Sequence, residues 1–165
     1  KSYDYWGSGI SVPAMHEPGF AMRSYTLTAD LRLDKDRASG VIYAVGSKFG
    51  GFSLYLDRGR PAFTYAASAK PADTVTIVAP RALPKGDAQL RLDVTSLGMG
   101  KGISFSIQSG EAVLAEGKAE RIFFTPAGIG EAIDTGQDTG APVTPYRTPL
   151  GKLEGDVRHI NLTFK

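Results

Sequence analysis

The sequence predicts an all-β, two-sheet antiparallel sandwich. Three observations lead there: short segments in which apolar and polar residues alternate, 20 Gly and 10 Pro that punctuate them, and the lack of any amphipathic stretch of ten residues at helical spacing. With 165 residues the chain is long enough for one domain with a sizeable core.

Residues 1–23 show no clear period. They carry Pro13, Pro18, three Gly and the only Trp, and read as a docking or linker segment ahead of a sandwich domain over 24–165. Tyr3, Tyr5 and Trp6 are expected to pack on the sandwich or on a neighbouring domain. From Tyr25 to Leu33, apolar residues alternate with Thr26, Thr28, Asp30 and Arg32, the period of a half-buried strand. Val41–Val45 is nearly continuous in apolar character. Gly46 and Gly50-Gly51 then form a corner that lets strands pass closely or change sheets. Phe52, Leu54 and Leu56 alternate after it.

Asp57-Arg58-Gly59-Arg60 is a hairpin turn into Ala62–Ala66. Further strands are expected over 74–79, 88–95 and 103–107. Ser109-Gly110-Glu111 then turns the chain into 113–115. In the last strand, from about Leu153 to Phe164, Val157 is out of phase with Ile160, Leu162 and Phe164. A β-bulge near His159 would restore the inward face. The repeat Asp134-Thr135-Gly136 and Asp138-Thr139-Gly140 is local and too short for a solenoid.

Composition narrows the function classes. Charged residues are 22% and the net charge is +2, with no run of basic residues, so no nucleic-acid partner is implied. Cysteine is absent, which removes disulfides and thiolate metal sites. No apolar run reaches membrane-spanning length, so no membrane partner is expected. The chain begins at Lys1 in mid-segment, which reads as a trimmed, proteolysed or mature piece.

Five blocks in order carry a family resemblance. They are Gly46–Leu56, Leu83-Pro84-Lys85-Gly86, Leu97-Gly98-Met99-Gly100-Lys101-Gly102, Asp134–Val143 and Gly155–Leu162. Together they resemble the carboxy-terminal β-sandwich of bacterial arylsulfatases. The resemblance covers roughly residues 24–164 and implies a concanavalin-A-like, laminin-G-like jelly roll. It implies a non-catalytic accessory role beside a sulfatase catalytic domain of the same parent protein, in the periplasm or secreted. Residues 66–73 depart from the pattern, since the family carries a longer apolar loop there.

No catalytic residue is expected in the chain itself. Ser11-Val12-Pro13-Ala14-Met15 begins like the sulfatase formylglycine motif but ends in Met rather than Arg. Glu154-Gly155-Asp156-Val157-Arg158-His159 has the first two acids of a β-glucanase signature, but His159 stands where the third is needed. His16 and His159 lack the context of a catalytic base.

Two other readings concern binding. Asp134 and Asp138, four apart in a Gly-Thr segment, could supply oxygen ligands to Ca²⁺, or could accept loop amides in Asx turns. Tyr43, Tyr55 and Tyr65 lie on strands and could stack on sugar rings if they face outward. Tyr55 is opposite in phase to Leu54 and Leu56, and Tyr65 is expected to point outward as well. The alternative to the accessory role is therefore an independent carbohydrate-binding module of jelly-roll fold, with a glycan as partner. A free-standing glycan hydrolase is a third reading, which the absent carboxylate opposes.

Overall fold

The structure is a computed structural model, described here for residues 1–13, 19–123 and 132–165. It contains β1 (Ser2–Tyr5), β2 (Ser11–Pro13), β3 (Tyr25–Leu33), β4 (Gly40–Ser47), β5 (Gly50–Asp57) and β6 (Arg60–Ala66). These are followed by β7 (Thr74–Val78), β8 (Gly86–Ser96), β9 (Ile103–Ser109), β10 (Ala112–Ala119), β11 (Ala132–Thr135) and β12 (Gly155–Phe164). They form two antiparallel sheets of six strands, in the orders β1-β12-β3-β8-β9-β10 and β2-β11-β4-β5-β6-β7. The arrangement is an all-β jelly-roll sandwich, as expected.

The amino-terminal segment corrects the reading of residues 1–23 as lacking regular elements. β1 is an edge strand of the first sheet on β12, and β2 is an edge strand of the second on β11. Pro13 is tolerated because an edge strand has an unpaired side. Strands of three or four residues are too short to show a period, although Tyr3 and Tyr5 do alternate. Tyr5 is buried in the core, and Tyr3 meets Phe164 edge-on at 6.1 Å.

Two turns follow the sequence directly. Asp57 pairs with Arg60 across the two-residue turn Arg58-Gly59, and both turn residues have positive φ. The register of β12 against β3 shifts between Val157 and His159, the bulge that the phase of Val157 required. The glycine corner behaves differently from a sheet crossing. β4 and β5 form a hairpin within one sheet, with Gly46 opposite Gly51. A Cβ on Gly51 would lie 2.0 Å from the Val45 carbonyl oxygen, so glycine is required by close backbone approach.

The core fills the space between the sheets. Tyr25, Leu27, Ala29, Leu31 and Leu33 of β3 meet Phe52, Leu54 and Leu56 of β5 and Phe63 of β6. Phe52 is central to the aromatic packing, with ring centroids 5.1 Å from Phe20, 5.6 Å from Phe63 and 5.9 Å from Tyr25. Close packing of such side chains supplies the main favourable term in folding.

The two outer faces differ, and this difference positions the site. β4, β5 and β6 are buried on both faces, in keeping with the continuous apolar character of β4, whereas β5 and β6 carry the polar Ser53 and Thr64 on the covered outer face. The segment 136–151 crosses the outside of the second sheet and lays Tyr146 on Val41, Ala44, Tyr55 and Ala62. In the first sheet, β3, β8 and β12 alternate between buried and accessible residues. Their outward side chains are mostly polar and open to solvent.

Candidate functional site

The tyrosines singled out in the sequence do not form an outward row. Tyr43 is fully buried because the register of β4 shifts between Val41 and Tyr43, which turns Ile42 and Tyr43 both toward the core. Its hydroxyl donates to that of Tyr5 at 3.1 Å. Tyr65 stands opposite Phe52 and therefore shares its inward face, against the expectation that it points out. Burial pushes its hydroxyl well above the usual tyrosine range, although its oxygen accepts the Phe123 amide at 3.2 Å. Tyr55 does point away from the core, as its phase required. Tyr146 covers it edge-on at 5.5 Å, and only 8% of Tyr55 remains accessible. None of the three presents an open ring face to solvent.

Asp134 and Asp138 are both buried. Asp134 lies on β11 rather than in a loop, and its Oδ2 accepts the Thr139 amide at 2.7 Å and hydroxyl at 2.8 Å. Asp138 Oδ2 accepts the Val143 amide at 2.9 Å and the Tyr146 hydroxyl. Each Asp thus accepts an amide of the chain that follows it, but five residues on rather than the two of an Asx turn. Burial, opposed by the bonds from Tyr146 and Val143 and aided by Asp134, pushes the Asp138 carboxyl up to about 6. Asp134 Oδ1 has no hydrogen-bond partner among the described residues. No group of three or more His, Cys, Asp and Glu side chains suited to a metal occurs among those residues. A hard cation takes six to eight oxygens and favours ionised carboxylates. In this structure one oxygen of each carboxylate is occupied by donors from the segment that follows, which the pair clamps in place.

Glu154 is held structurally. Lys35 Nζ is 2.7 Å from its Oε2, and the Ser39 amide donates to Oε1 at 3.0 Å. The Lys35 and Ser39 bonds hold its carboxyl below the usual range. Asp156 is exposed on β12. His16 and the end of the Ser11–Met15 stretch lie outside the described residues.

The open face of the first sheet carries the richest set of polar groups. The bulge in β12 is what builds it. Val157 and Ile160 both point inward, so Arg158 and His159 between them both lie on the outer side. His159 stands opposite Asp30 of β3. His159 Nε2 lies 2.7 Å from Asp4 Oδ1 of β1, and Nδ1 lies 3.8 Å from Asp30 Oδ2. Asn161 donates to the same Asp4 oxygen at 3.0 Å. The bonds from Asn161 and His159 hold the Asp4 carboxyl below its ordinary value. Gln89 of β8 donates to Asp30 at 2.6 Å. Further along, Asp93 gathers Thr26 at 2.7 Å, Gln108 at 2.7 Å and Arg91 at 3.1 Å. Burial raises the Asp93 carboxyl, but the Thr26 and Arg91 bonds outweigh it and leave it below the usual range.

Trp6 completes this surface. Its ring stacks on His159 with centroids 3.9 Å apart and planes 18° apart, yet 72% of the residue is exposed. It borders a shallow depression of about 560 Å³ with Asp30, Asp87, Gln89, Arg158 and His159. An aromatic face held flat beside hydrogen-bonding groups can stack on the C–H face of a sugar and bind its hydroxyls. Sequence reasoning located the bulge and the histidine but left Trp6 apart from them. No local signal linked them: it is the pairing of β1 with β12 that delivers Trp6 next to the bulge. A second crevice, of about 620 Å³, lies at one end of the sandwich and is more apolar, lined in part by Met22, Met99 and Ile122.

Comparison with known proteins places the fold. No family model matches the chain, and no curated protein sequence matches it. Among solved structures, the Ruminococcus gnavus IT-sialidase CBM40 bound to α2,6 sialyllactose is similar at TM-score 0.65 and 14% identity. That match covers 97% of this chain and 90% of the other. The K499G mutant of NanB sialidase from Streptococcus pneumoniae matches at TM-score 0.65 and 12% identity, over 99% of this chain and 26% of that one. Domains LG4-5 of the mouse laminin α1 chain match at 0.54 and 13%, over 96% and 39%. The sulfatase link implied by the sequence blocks has no counterpart in these three. At such identities the likeness is one of fold: the chain is a concanavalin-A-like, laminin-G-like β-sandwich of the kind these carbohydrate-binding and laminin G domains share.

Proposed function

We propose that this chain is a glycan-binding module of jelly-roll fold, with its binding surface on the open face of the first sheet around Trp6. The observation that carries this reading is the exposed Trp6 ring, stacked on His159 beside Asp30, Gln89 and Arg158. The asymmetry of the sandwich supports it, since the outside of the second sheet is covered while that of the first is free. The likeness in fold to a carbohydrate-binding module adds support, though the ligand of that module belongs to it alone. In this reading the aromatic platform is Trp6, not the row Tyr43, Tyr55 and Tyr65. A glycan partner fits a periplasmic or secreted setting. The reading takes precedence over an accessory role tied to a sulfatase catalytic domain, since none of the three similar structures named above is a sulfatase.

Because Trp6 is the only tryptophan, its fluorescence reports on the site directly. Titration with a panel of oligosaccharides should shift or quench this emission saturably for at least one of them. Replacing Trp6 by Ala should weaken that ligand, followed by calorimetry, by about tenfold or more. A panel that binds nowhere, or that binds equally well to Trp6→Ala, would remove the proposal.

A further inference from the structure

The charges around Trp6 say which class of sugar the surface takes. Three carboxylates, Asp4, Asp30 and Asp87, face the region, each with at least 43% of its side chain exposed. The cations near them are already engaged. Arg32 Nη1 lies 3.3 Å from Asp87 Oδ1 and Arg158 Nη1 lies 3.9 Å from the same oxygen. His159 has Asp4 on one ring nitrogen and Asp30 near the other. No guanidinium here stands clear of a carboxylate. Gln89 adds a neutral amide, and its Nε2 already donates to Asp30.

Carboxylates accept strong, charge-assisted hydrogen bonds from hydroxyl groups. They repel a carboxylate or sulfate brought within a few ångströms. The Asp4 carboxyl is stabilised in its charged form by Asn161 and His159, so it is not relieved by taking up a proton near neutral pH. Carboxylates thus outnumber guanidiniums around Trp6, three to two, and make the surface rich in acceptors.

We infer that the Trp6 surface selects neutral, hydroxyl-rich sugars over acidic ones, the sugar ring lying on Trp6 while Asp30 and Asp87 accept its hydroxyls. This rests on the glycan-binding reading above and narrows it. It also separates this chain by ligand class from the similar R. gnavus module, which was solved with a sialylated glycan.

The test is an array carrying neutral hexose oligosaccharides together with sialylated and sulfated ones, probed with the full chain. Three proteins are compared: the wild type, Trp6→Ala, and the double variant Asp30→Asn with Asp87→Asn. Thermal melts confirm that both variants are folded. The wild type should bind neutral members at least about tenfold more tightly than acidic ones, and Trp6→Ala should lose that binding. The double variant should weaken neutral binding and raise acidic relative to neutral binding by about fivefold or more. Acidic members bound as tightly as neutral ones through Trp6 would overturn the selectivity and leave the glycan-binding reading intact. Neutral binding that survives Trp6→Ala, or no binding of either class, would overturn both.

Discussion

The Tyr146 hydroxyl donates to Asp138, and that contact pins the segment 136–151 onto the outside of the second sheet. The same carboxylate takes the Val143 amide at 2.9 Å, and the Tyr146 ring covers Tyr55. Burial and the nearby Asp138 charge push the Tyr146 hydroxyl far above its usual range, so it remains a donor at any working pH. One buried acid thus joins a loop to a sheet face that would otherwise be wet.

The pH dependence of stability follows from Asp138. Its folded-state value is raised from 3.8 to about 6, first by burial. Between these values the native state holds a proton that the unfolded chain releases. Stability from this group is therefore fully present below about 4 and is lost as pH rises through about 6. Replacing Asp138 by Asn keeps an acceptor for Val143 and Tyr146 without the charge. Asp138→Asn should match the wild type near pH 4 and exceed it near pH 8, by an amount on the order of 2–3 kcal/mol. Urea denaturation at both pH values measures this, and equal midpoint differences at the two would refute it.

Calcium should not stabilise the fold through Asp134 and Asp138. Both carboxylates already accept bonds from loop groups, which leaves few of their oxygens open to a cation. The expected melting temperature is the same in excess Ca²⁺ and in chelator. A rise with a saturable dependence on Ca²⁺, lost in Asp134→Ala, would restore the ligand role that their spacing first suggested.

Gly51 should be intolerant of any side chain. Its added Cβ would meet the Val45 carbonyl oxygen at 2.0 Å and the Ser47 nitrogen at 2.8 Å, both backbone atoms of β4. Gly51→Ala should cost roughly 3 kcal/mol or more, or prevent folding. Gly19 has nothing within 4 Å of the same position, so Gly19→Ala should stay within about 0.5 kcal/mol of the wild type. Chemical denaturation of the pair decides it, with similar midpoints as the contrary result.

The sequence by itself determined the fold class and most of the strands. Period-two alternation in β3 and β8 reports a sheet with one wet face, and the continuous apolar character of β4 reports a strand covered on both. The phase break at Val157 located the bulge in β12, because a misplaced inward residue can be corrected only by an extra one. These signals are local, and burial imposes them residue by residue.

Tertiary structure decided where the aromatic side chains face and what they touch. Tyr43 turned inward through a bulge within a wholly apolar stretch, where no polar neighbour marks the phase. Tyr65 took its face from pairing with Phe52, a relation between strands. Trp6 and His159, 153 positions apart, came together only because β1 adds to the edge of β12. Contacts of that range depend on which strands neighbour each other, and the register that sets them is written in no single segment of the chain.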